Sequence, residues 1–254
     1  MDSLDKIKID IYYCGMIQVE VVISPALLPL YEVRGKAVVV VDVLRATSTI
    51  CTAIHEGAEA VVAVETIESA MAYRSGNFLL AAERNGYKVD GFDMGNSPFE
   101  CQDGKVTNKT IVLTTTNGTK CIEAAVKAGA NHVLAGSFLN LEATAQWLCQ
   151  CPDPILILCA GWKDKVNLED TLYAGALVAK LRQMTELSID CDTALMAEQL
   201  YNQSQNDLIG VLKHSSHYKR LSHLSHEEDM IFCMQNSVFQ EVVGLVENQM
   251  KKMQ

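Results

Sequence analysis

The sequence predicts an α/β protein built on a mostly parallel β-sheet, or a mixed one, with helices covering both faces. Between residues 36 and 184, short runs rich in Val, Ile and Leu alternate with segments in which apolar residues recur at helical spacing. The runs are apolar at successive positions, which is typical of strands that crossover helices bury on both faces. The 254 residues, 49% of them hydrophobic, can supply the core that such a sheet needs.

The predicted elements alternate along the chain. Strands are expected where β-branched and other apolar residues run together, at 36–43, 59–64, 78–83, 110–115, 131–135 and 155–159. Helices are expected where apolar residues recur at i, i+3 and i+4, at 46–56, 66–74, 118–127, 141–149 and 168–184. A Gly-rich loop is expected at 86–104, and from residue 190 onward the pattern is mainly helical.

One strand–helix–strand segment resembles another 72 residues further along the chain. Residues 41–64 align without a gap on 113–136, with 7 identities in 24 positions. Gly57 and Gly129, which occupy equivalent positions, are expected to end the two helices in left-handed caps. The pattern indicates either an internal duplication or the general form of a βαβ unit. We expect one unit over 1–254, with two interlocked halves and a boundary near 86–108 as the alternative, and no separate targeting or membrane domain.

Charge and composition exclude several classes of protein. The chain carries 21 Lys and Arg against 31 Asp and Glu, a formal charge of −10, and no basic stripe of the kind that binds nucleic acid. No apolar run approaches the ~18 residues of a membrane helix, and residues 1–10 lack the apolar centre of a secretory signal. A cytoplasmic protein is expected, with its nine cysteines as reduced thiols.

The turn after the first predicted strand has the composition of an anion site. Asp42 ends the strand, Arg45 follows three residues later, and three hydroxyl residues open the helix: Thr47, Ser48 and Thr49. Free N–H groups and the helix dipole favour an anion at this position, and an arginine can bind it with two parallel hydrogen bonds. The alternative is an ordinary N-cap with an Asp–Arg ion pair.

The equivalent turn of the second segment offers neutral donors. Its candidate binding residues are Thr115, Thr116, Asn117, Gly118 and Thr119. Hydroxyl and amide groups at a glycine turn suit phosphate or sulfonate oxygens. The alternative is helix capping in a Thr-rich strand end.

Two further regions add charged and polar candidates. The loop at 83–98 follows a strand and can direct five polar side chains into a shared cleft, or it is a plain surface loop; these residues are Glu83, Arg84, Asp93, Asn96 and Ser97. Glu169 and Asp170 open the helix at 168–184. Adjacent carboxylates there are either capping residues or metal ligands beside Asp42.

The common phosphate-binding templates do not match this chain. It contains no P-loop and no G-x-G-x-x-G dinucleotide motif. A thiol phosphatase loop needs Arg six residues after the nucleophile, whereas Cys159 is followed there by Lys165. Two H-x-x-H pairs could bind a metal, but their Lys and Arg neighbours favour solvated helix positions; these histidines are His214, His217, His223 and His226.

Taken together, four ordered motifs resemble the 2-phosphosulfolactate phosphatase (ComB) family. They lie at 42–49, at 83–98, at 114–119 and at 168–176, and the resemblance covers roughly residues 36 to 235. It implies a ComB-like α/β fold and a Mg²⁺-dependent phosphoric monoester hydrolase of coenzyme M biosynthesis. The implied reaction converts 2-phospho-3-sulfolactate to 3-sulfolactate and phosphate.

The resemblance and the residue chemistry assign roles to the candidates. Catalytic roles are expected for Asp42, Arg45 and Glu169, and Mg²⁺ ligation for Asp42, Glu169 and Asp170. Substrate binding is expected for Thr47, Ser48, Thr49, Arg84, Asn96, Ser97, Thr115, Thr116, Asn117, Gly118 and Thr119. The substrate is a small anionic phospho-acid, with no nucleic acid or membrane partner, and a homo-oligomer is compatible with these expectations.

Three alternatives remain open from the sequence. The first is a phosphatase for another 2-phospho-acid, such as phospholactate or phosphoglycolate. The second is an anion-binding protein without catalysis. The third is a structural or interaction subunit that uses its C-terminal helices.

Overall fold

The computed structural model describes residues 16–223 and 227–253 of the chain. The strands are β1 Ile17–Val22, β2 Ala37–Val41, β3 Ala60–Ala63, β4 Phe78–Arg84, β5 Tyr87–Lys88, β6 Thr110–Thr114, β7 His132–Gly136, β8 Ile155–Cys159, β9 Leu187–Ser188, β10 Val243–Val246 and β11 Gln249–Lys252. The helices are α1 Ala46–His55, α2 Ile67–Met71, α3 Gly118–Lys127, α4 Leu141–Gln150, α5 Leu168–Met184, α6 Asp192–Ser204, α7 Leu208–Leu212, α8 Ser216–Ser222 and α9 Glu227–Cys233.

The strands form one mixed sheet in the order β5-β4-β6-β3-β11-β10-β7-β2-β8-β1-β9. Parallel pairs link β4, β6 and β3 on one side, and β7, β2, β8, β1 and β9 on the other. The hairpin β10–β11 lies between the two groups and pairs antiparallel with β7 and with β3. The predicted α/β class with a mostly parallel, mixed sheet is therefore confirmed.

The two similar segments exchange strands within this sheet. Helices α1 and α3 are offset by the 72 residues of the repeat at both ends. Strand β2 of the first segment pairs with β7 of the second, and β6 of the second pairs with β3 of the first. Each segment thus contributes a strand that pairs with a strand of the other segment within the one sheet. The predicted boundary at 86–108 falls in the connection between β4 and β6 and stays a prediction.

Strand β2 is buried on both faces, as its continuous Val run predicts. Val39 and Val41 belong to the core cluster that includes α5, whereas Val38 and Val40 belong to the cluster that includes α1 and α3. All four side chains have no exposed area. Because successive residues of a strand point to opposite faces, β2 joins both helical layers to the sheet and fixes where its end, at Asp42, lies.

The prediction of a mainly helical C-terminal region is correct for α6 to α9 and wrong beyond them. Residues 243–252 form a β-hairpin whose turn residues, Glu247 and Asn248, both have positive φ, at 51° and 63°. A two-residue turn with Asn in the left-handed region is a hairpin signal that the helical interpretation overlooked. Strands β1, β5 and β9 were also missed. Residues 1–10, in which no secretory signal was expected, lie outside the described residues.

Within the described residues, none of the helices has the length and apolar character needed to span a membrane.

Candidate active site

A cavity of about 280 Å³ opens where the end of β2 meets the first turns of α1 and α3. Its wall combines residues from these turns with the β4–β5 turn, the β8–α5 connection and α8. The lining residues are Asp42, Leu44, Arg45, Glu83, Asn85, Gly86, Asn96, Thr116, Asn117, Trp162, Lys163, His217, Arg220 and Leu221. Six of the residues predicted to face a cleft line this cavity, from both predicted turns and from the loop at 83–98: Asp42, Arg45, Glu83, Asn96, Thr116 and Asn117.

The two helix starts touch at equivalent positions of the repeat. A Cβ atom placed on Gly118 would lie 2.7 Å from Cβ of Ala46, its equivalent in α1, and 2.7 Å from Oδ2 of Asp42. Real Cβ atoms essentially never lie within 3.0 Å of another heavy atom. Glycine is therefore required for the two turns to approach this closely. Gly118 acts by leaving room for the Asp42 carboxylate.

Five buried acidic side chains lie at or beside the cavity: Asp42, Glu83, Glu169, Asp170 and Asp229, the last of which is paired with Arg45. Burial raises the pKa of Asp42 to about 6; His217 acts against this shift, and the charges of Glu83 and Glu169 add to it. Oε2 of Glu169 is buried and has no hydrogen-bond partner among the described residues. Buried carboxylates with an unpaired oxygen fit a hard divalent cation, because such a cation takes oxygen ligands and offsets the repulsion.

Both carboxylate oxygens of Asp170, a predicted metal ligand, accept backbone hydrogen bonds. Its Oδ1 accepts a hydrogen bond from the backbone N–H of Val43 at 2.9 Å, and its Oδ2 accepts one from Gly161 at 2.9 Å. Both oxygens are thus engaged by the residues that follow β2 and β8. Burial and the charges of Glu169 and Asp42 raise the pKa of Asp170 well above its usual range. Asp170 ties α5 to two strand ends, and Glu169 is the better candidate for a metal ligand.

His217 is a functional candidate that the sequence interpretation missed. Its Nδ1 donates to Oε1 of Glu169 in a buried contact, and Nδ2 of Asn167 lies 3.3 Å from the same ring nitrogen. A carboxylate accepts hydrogen bonds, so this pairing places the proton on Nδ1. The prediction of a solvated position holds for His214 and His223, which are exposed, and is wrong for His217. His226 lies outside the described residues.

An apolar stripe on α8 explains why His217 is buried. Tyr218 and Leu221 of this helix pack into the core beside α5, and His217 is carried against Glu169 on the same face. A stripe at 217, 218 and 221 could have indicated that this face points inward.

Three cationic side chains line the cavity: Arg45, Lys163 and Arg220. Arg45 forms a buried ion pair with Asp229, and its Nη2 donates to the Gly86 carbonyl at 3.4 Å. Cζ of Arg220 lies 3.9 Å from the ring centroid of Trp162, and Nζ of Lys163 lies 4.5 Å from it. Nη2 of Arg220 is buried and has no hydrogen-bond partner among the described residues. The sequence interpretation did not single out Lys163 or Arg220.

The hydroxyls of α1 do not face the cavity, contrary to the prediction. Thr47 donates to the carbonyls of Asp42 and Gly136 at 2.9 and 2.7 Å, and Ser48 donates to that of Val43 at 2.8 Å. Thr49 donates to the Asn96 carbonyl at 3.1 Å. All three residues are buried and their protons are used within the protein. They fix the strand–helix turn, so the anion-binding function expected of them is corrected to a structural one.

Several other predicted binding residues also lie outside the cavity. Thr115 and Thr119 bond to each other across the first turn of α3, at 3.2 to 3.3 Å. Arg84 donates to the carbonyl and hydroxyl oxygens of Thr114 at 3.2 and 2.9 Å, and lines a neighbouring hollow that also contains Thr115 and Thr116. Ser97 donates to Asp229 at 2.6 Å, so it orients the carboxylate that holds Arg45.

Comparisons with known proteins give one consistent result. A family model described as 2-phosphosulpholactate phosphatase matches residues 22–248. Curated relatives named "Probable 2-phosphosulfolactate phosphatase" include one from Thermotoga petrophila, 43% identical over 224 residues, which covers 88% of this chain and 95% of the relative. Another, from Caldanaerobacter subterraneus, is 39% identical, and the alignment covers 80% of this chain and 85% of the relative. A third, from Microcystis aeruginosa, is 35% identical, with coverage of 85% and 91%.

Proposed function

Because the chain belongs to the 2-phosphosulpholactate phosphatase family, a family of phosphomonoester phosphatases, we propose that it hydrolyses 2-phospho-3-sulfolactate to 3-sulfolactate and phosphate with Mg²⁺ as cofactor. The observation that carries the proposal is the combination of cations and carboxylates in one small cavity. Arg45, Lys163 and Arg220 line the cavity and supply positive charge. Asp42 lines it as well, and Glu169, which is buried behind the lining residue His217 and bonded to it, is the second source of oxygen ligands.

The charges of the cavity match those of the proposed substrate. The molecule carries a phosphate, a carboxylate and a sulfonate on a three-carbon chain, and the cavity offers three cationic side chains. Its volume of about 280 Å³ suits a small polar molecule. The guanidinium of Arg45, at the start of α1, can donate two parallel hydrogen bonds. The cationic groups of Arg220 and Lys163 pack against the ring of Trp162. We assign Arg45 to the phosphoryl group and Arg220 with Lys163 to the sulfonate.

The carboxylate set fits Mg²⁺. This ion usually takes one or two protein carboxylates and completes its octahedron with water and substrate oxygens. Asp42 and Glu169 are the ligands we propose, since Glu169 Oε2 is unpaired among the described residues and both oxygens of Asp170 are engaged by N–H groups. When bound there, Mg²⁺ supplies Lewis-acid stabilisation of the charge that develops on the phosphoryl oxygens.

The neighbouring side chains can move the proton that hydrolysis requires. The reaction breaks the bond between phosphorus and the C2 oxygen, joins phosphorus to the oxygen of water, and leaves an alkoxide that must be protonated. His217 lines the cavity and its Nδ1 is held by Glu169, which leaves Nε2 for the substrate side. We assign His217 as the proton donor to the leaving oxygen: the proton on Nε2 passes to the C2 oxygen, and a proton from the attacking water replaces it on Nε2. Asn96 and Asn117 supply neutral donors to the bound anion.

The direct test is phosphate release from three substrates: 2-phospho-3-sulfolactate, 2-phospholactate and 2-phosphoglycolate. We expect the sulfonated substrate to have the highest kcat/KM, and EDTA to abolish turnover until Mg²⁺ is restored. Asp42→Asn and Glu169→Gln should each lower kcat by at least about 100-fold. Glu198→Gln is the matched control, because Glu198 on α6 pairs with Arg182 of α5 and does not line the cavity.

Two results would contradict the proposal. Equal turnover with EDTA and with Mg²⁺ would reject the cofactor while leaving the phosphatase activity. A preference for 2-phosphoglycolate over the sulfonated substrate would reject the assigned substrate, because phosphoglycolate lacks the sulfonate assigned to Arg220 and Lys163.

A further inference from the structure

A second group of metal-binding side chains lies far from the cavity. His132 is the first residue of β7, and Cys151 and Asp153 lie in the connection from α4 to β8. One ring nitrogen, one thiol sulfur and one carboxylate oxygen from these three residues all lie within 4.8 Å of one another. Nε2 of His132 is 3.7 Å from Oδ2 of Asp153.

The sheet register brings these residues together. Strands β7 and β8 flank β2, and His132 and Ile155 are both in register with Ala37. The three strands are parallel, so their first residues lie at one end and the cavity, after Val41, lies at the other. A strand of five residues spans about 16 Å. The group is therefore separate from the carboxylates to which Mg²⁺ is assigned.

The local sequence holds the candidate ligands in place. Residues 151–154 read Cys-Pro-Asp-Pro, so a proline follows both Cys151 and Asp153 and restricts each of them to extended backbone. Cys151 has φ −80° and ψ 128°, as this rule requires. Asn131 Nδ2 donates to Oδ2 of Asp153 at 3.0 Å, and Trp147 packs edge-on against the His132 ring, with centroids 5.1 Å apart. Such supporting contacts orient ligands before a metal binds.

We propose that His132, Cys151 and Asp153 form a zinc site with a fourth position open to water. Zinc takes thiolate, imidazole and carboxylate ligands at about 2.0 to 2.3 Å, in tetrahedral geometry. Tetrahedral ligands at those lengths lie roughly 3.3 to 3.7 Å apart, so small side-chain rotations are sufficient to close this group on the ion. Mg²⁺ prefers oxygen ligands, so the two sites differ in the metal they select.

The proposed site would join the α4–β8 connection to the start of β7. Zinc binds the thiolate, and burial raises the pKa of the Cys151 thiol. Zinc binding therefore releases the thiol proton. Because the site is far from the cavity, its effect is on stability: zinc should raise the Tm and leave phosphatase turnover unchanged.

The test is a titration of the Mg²⁺-loaded full chain with Co²⁺, a spectroscopic probe for zinc sites, followed by displacement with Zn²⁺. The wild-type chain should bind one Co²⁺ with a near-ultraviolet sulfur-to-cobalt charge-transfer band, and Zn²⁺ should abolish that band and raise the Tm. Cys151→Ser should lose the band. Asp153→Asn, a change at a partly exposed residue, should weaken Zn²⁺ binding by more than about tenfold.

The matched control is Cys191→Ser. Cys191 is a half-buried thiol at the start of α6. Burial acts to raise the pKa of this thiol, but its hydrogen bonds, led by the one with Thr193, lower that pKa overall. This variant should keep the cobalt band, and all three variants should keep wild-type turnover, which verifies their folding. The proposal is overturned if the wild type shows no band, if the band persists in Cys151→Ser, or if Zn²⁺ affinity and the Tm shift are unchanged in Asp153→Asn.

Discussion

The contact between the starts of α1 and α3 makes Gly118 a test of how the site is positioned. Replacing it by Ala adds one methyl group, and at an unhindered helix position this change stabilises a protein by about 1 kcal/mol. In this chain the new Cβ would lie 2.7 Å from Asp42 Oδ2, 2.7 Å from Ala46 Cβ and 3.1 Å from Asp42 Cβ. Normal carbon contacts are about 3.3 to 4.0 Å. Asp42 or the whole of α3 must therefore move by about 0.6 to 1 Å.

The expected magnitude follows from that displacement. Overpacking costs about 1 to 3 kcal/mol, and the gain in helix propensity offsets about 1 kcal/mol of it, so we expect a loss of stability of about 0 to 2 kcal/mol. A displacement of about 1 Å in a catalytic group can cost about 100-fold in rate. Gly118→Ala should therefore lower kcat by roughly 10- to 100-fold while the protein remains folded.

The assay compares kcat for phosphate release and Tm in three proteins: wild type, Gly118→Ala, and Gly118→Ala combined with Ala46→Gly. The double variant exchanges the two equivalent residues, which removes the contact with Ala46 and keeps the one with Asp42. We expect it to recover stability and to remain impaired in kcat. The reasoning is refuted if Gly118→Ala stays within about threefold of wild type, or if the double variant regains full activity.

Four more predictions concern single groups. Arg220→Gln should lower kcat/KM for 2-phospho-3-sulfolactate by about tenfold and leave that for 2-phospholactate within about twofold, as measured on both substrates. Arg45→Lys keeps the charge but loses the fork, so phosphate release should fall by about tenfold or more even though a cation still faces Asp229. In EDTA-treated protein, the pKa of Asp42 rises from 3.8 to about 6 on folding, so the folded state holds the Asp42 proton more tightly than the unfolded state does. The contribution of Asp42 to stability therefore decreases by up to about 3 kcal/mol as pH rises from about 4 to about 6. Urea unfolding at pH 7 should show that Mg²⁺ reverses this loss. Burial raises the pKa of Cys159 well above its usual range, so Cys159→Ser should stay active and iodoacetamide should inhibit slowly; trapping of a phosphocysteine would refute this.

The fold and the position of the cavity could be predicted because their signals are local. The Val run of β2 indicates a strand buried on both faces, and a polar turn after such a strand is where α/β proteins bind ligands. Asp42, Arg45 and Asn117 were found in this way, and all three line the cavity. Helix α3 begins and ends at the predicted residues because its apolar spacing and the left-handed Gly129 that follows it are both local signals.

The remaining parts of the site depend on packing that local patterns do not encode. Arg220 and His217 reach the cavity on a helix that follows Asp42 by more than 170 residues in sequence, and the contact of α8 with α5 is what brings them there. The local sequence around a hydroxyl residue such as Thr47 is the same whether the hydroxyl donates its proton to a ligand or to a backbone carbonyl. The Thr47 hydroxyl donates to the carbonyl of Gly136 on β7, a strand that is distant from Thr47 in sequence.

The place of β10–β11 in the sheet has a consequence for how the chain is made. The two parallel groups of strands are joined through this hairpin, by single bridges from Gly244 to Leu134 and from Met250 to Val61. During translation the hairpin leaves the ribosome after the other nine strands that the structure describes, so this sheet remains divided until then. Before that point β3 and β7 both have an unpaired edge, which invites aggregation or chaperone binding. A nonsense codon between residues 235 and 242 would therefore yield a chain that retains the residues of the cavity and exposes two strand edges to cellular quality control.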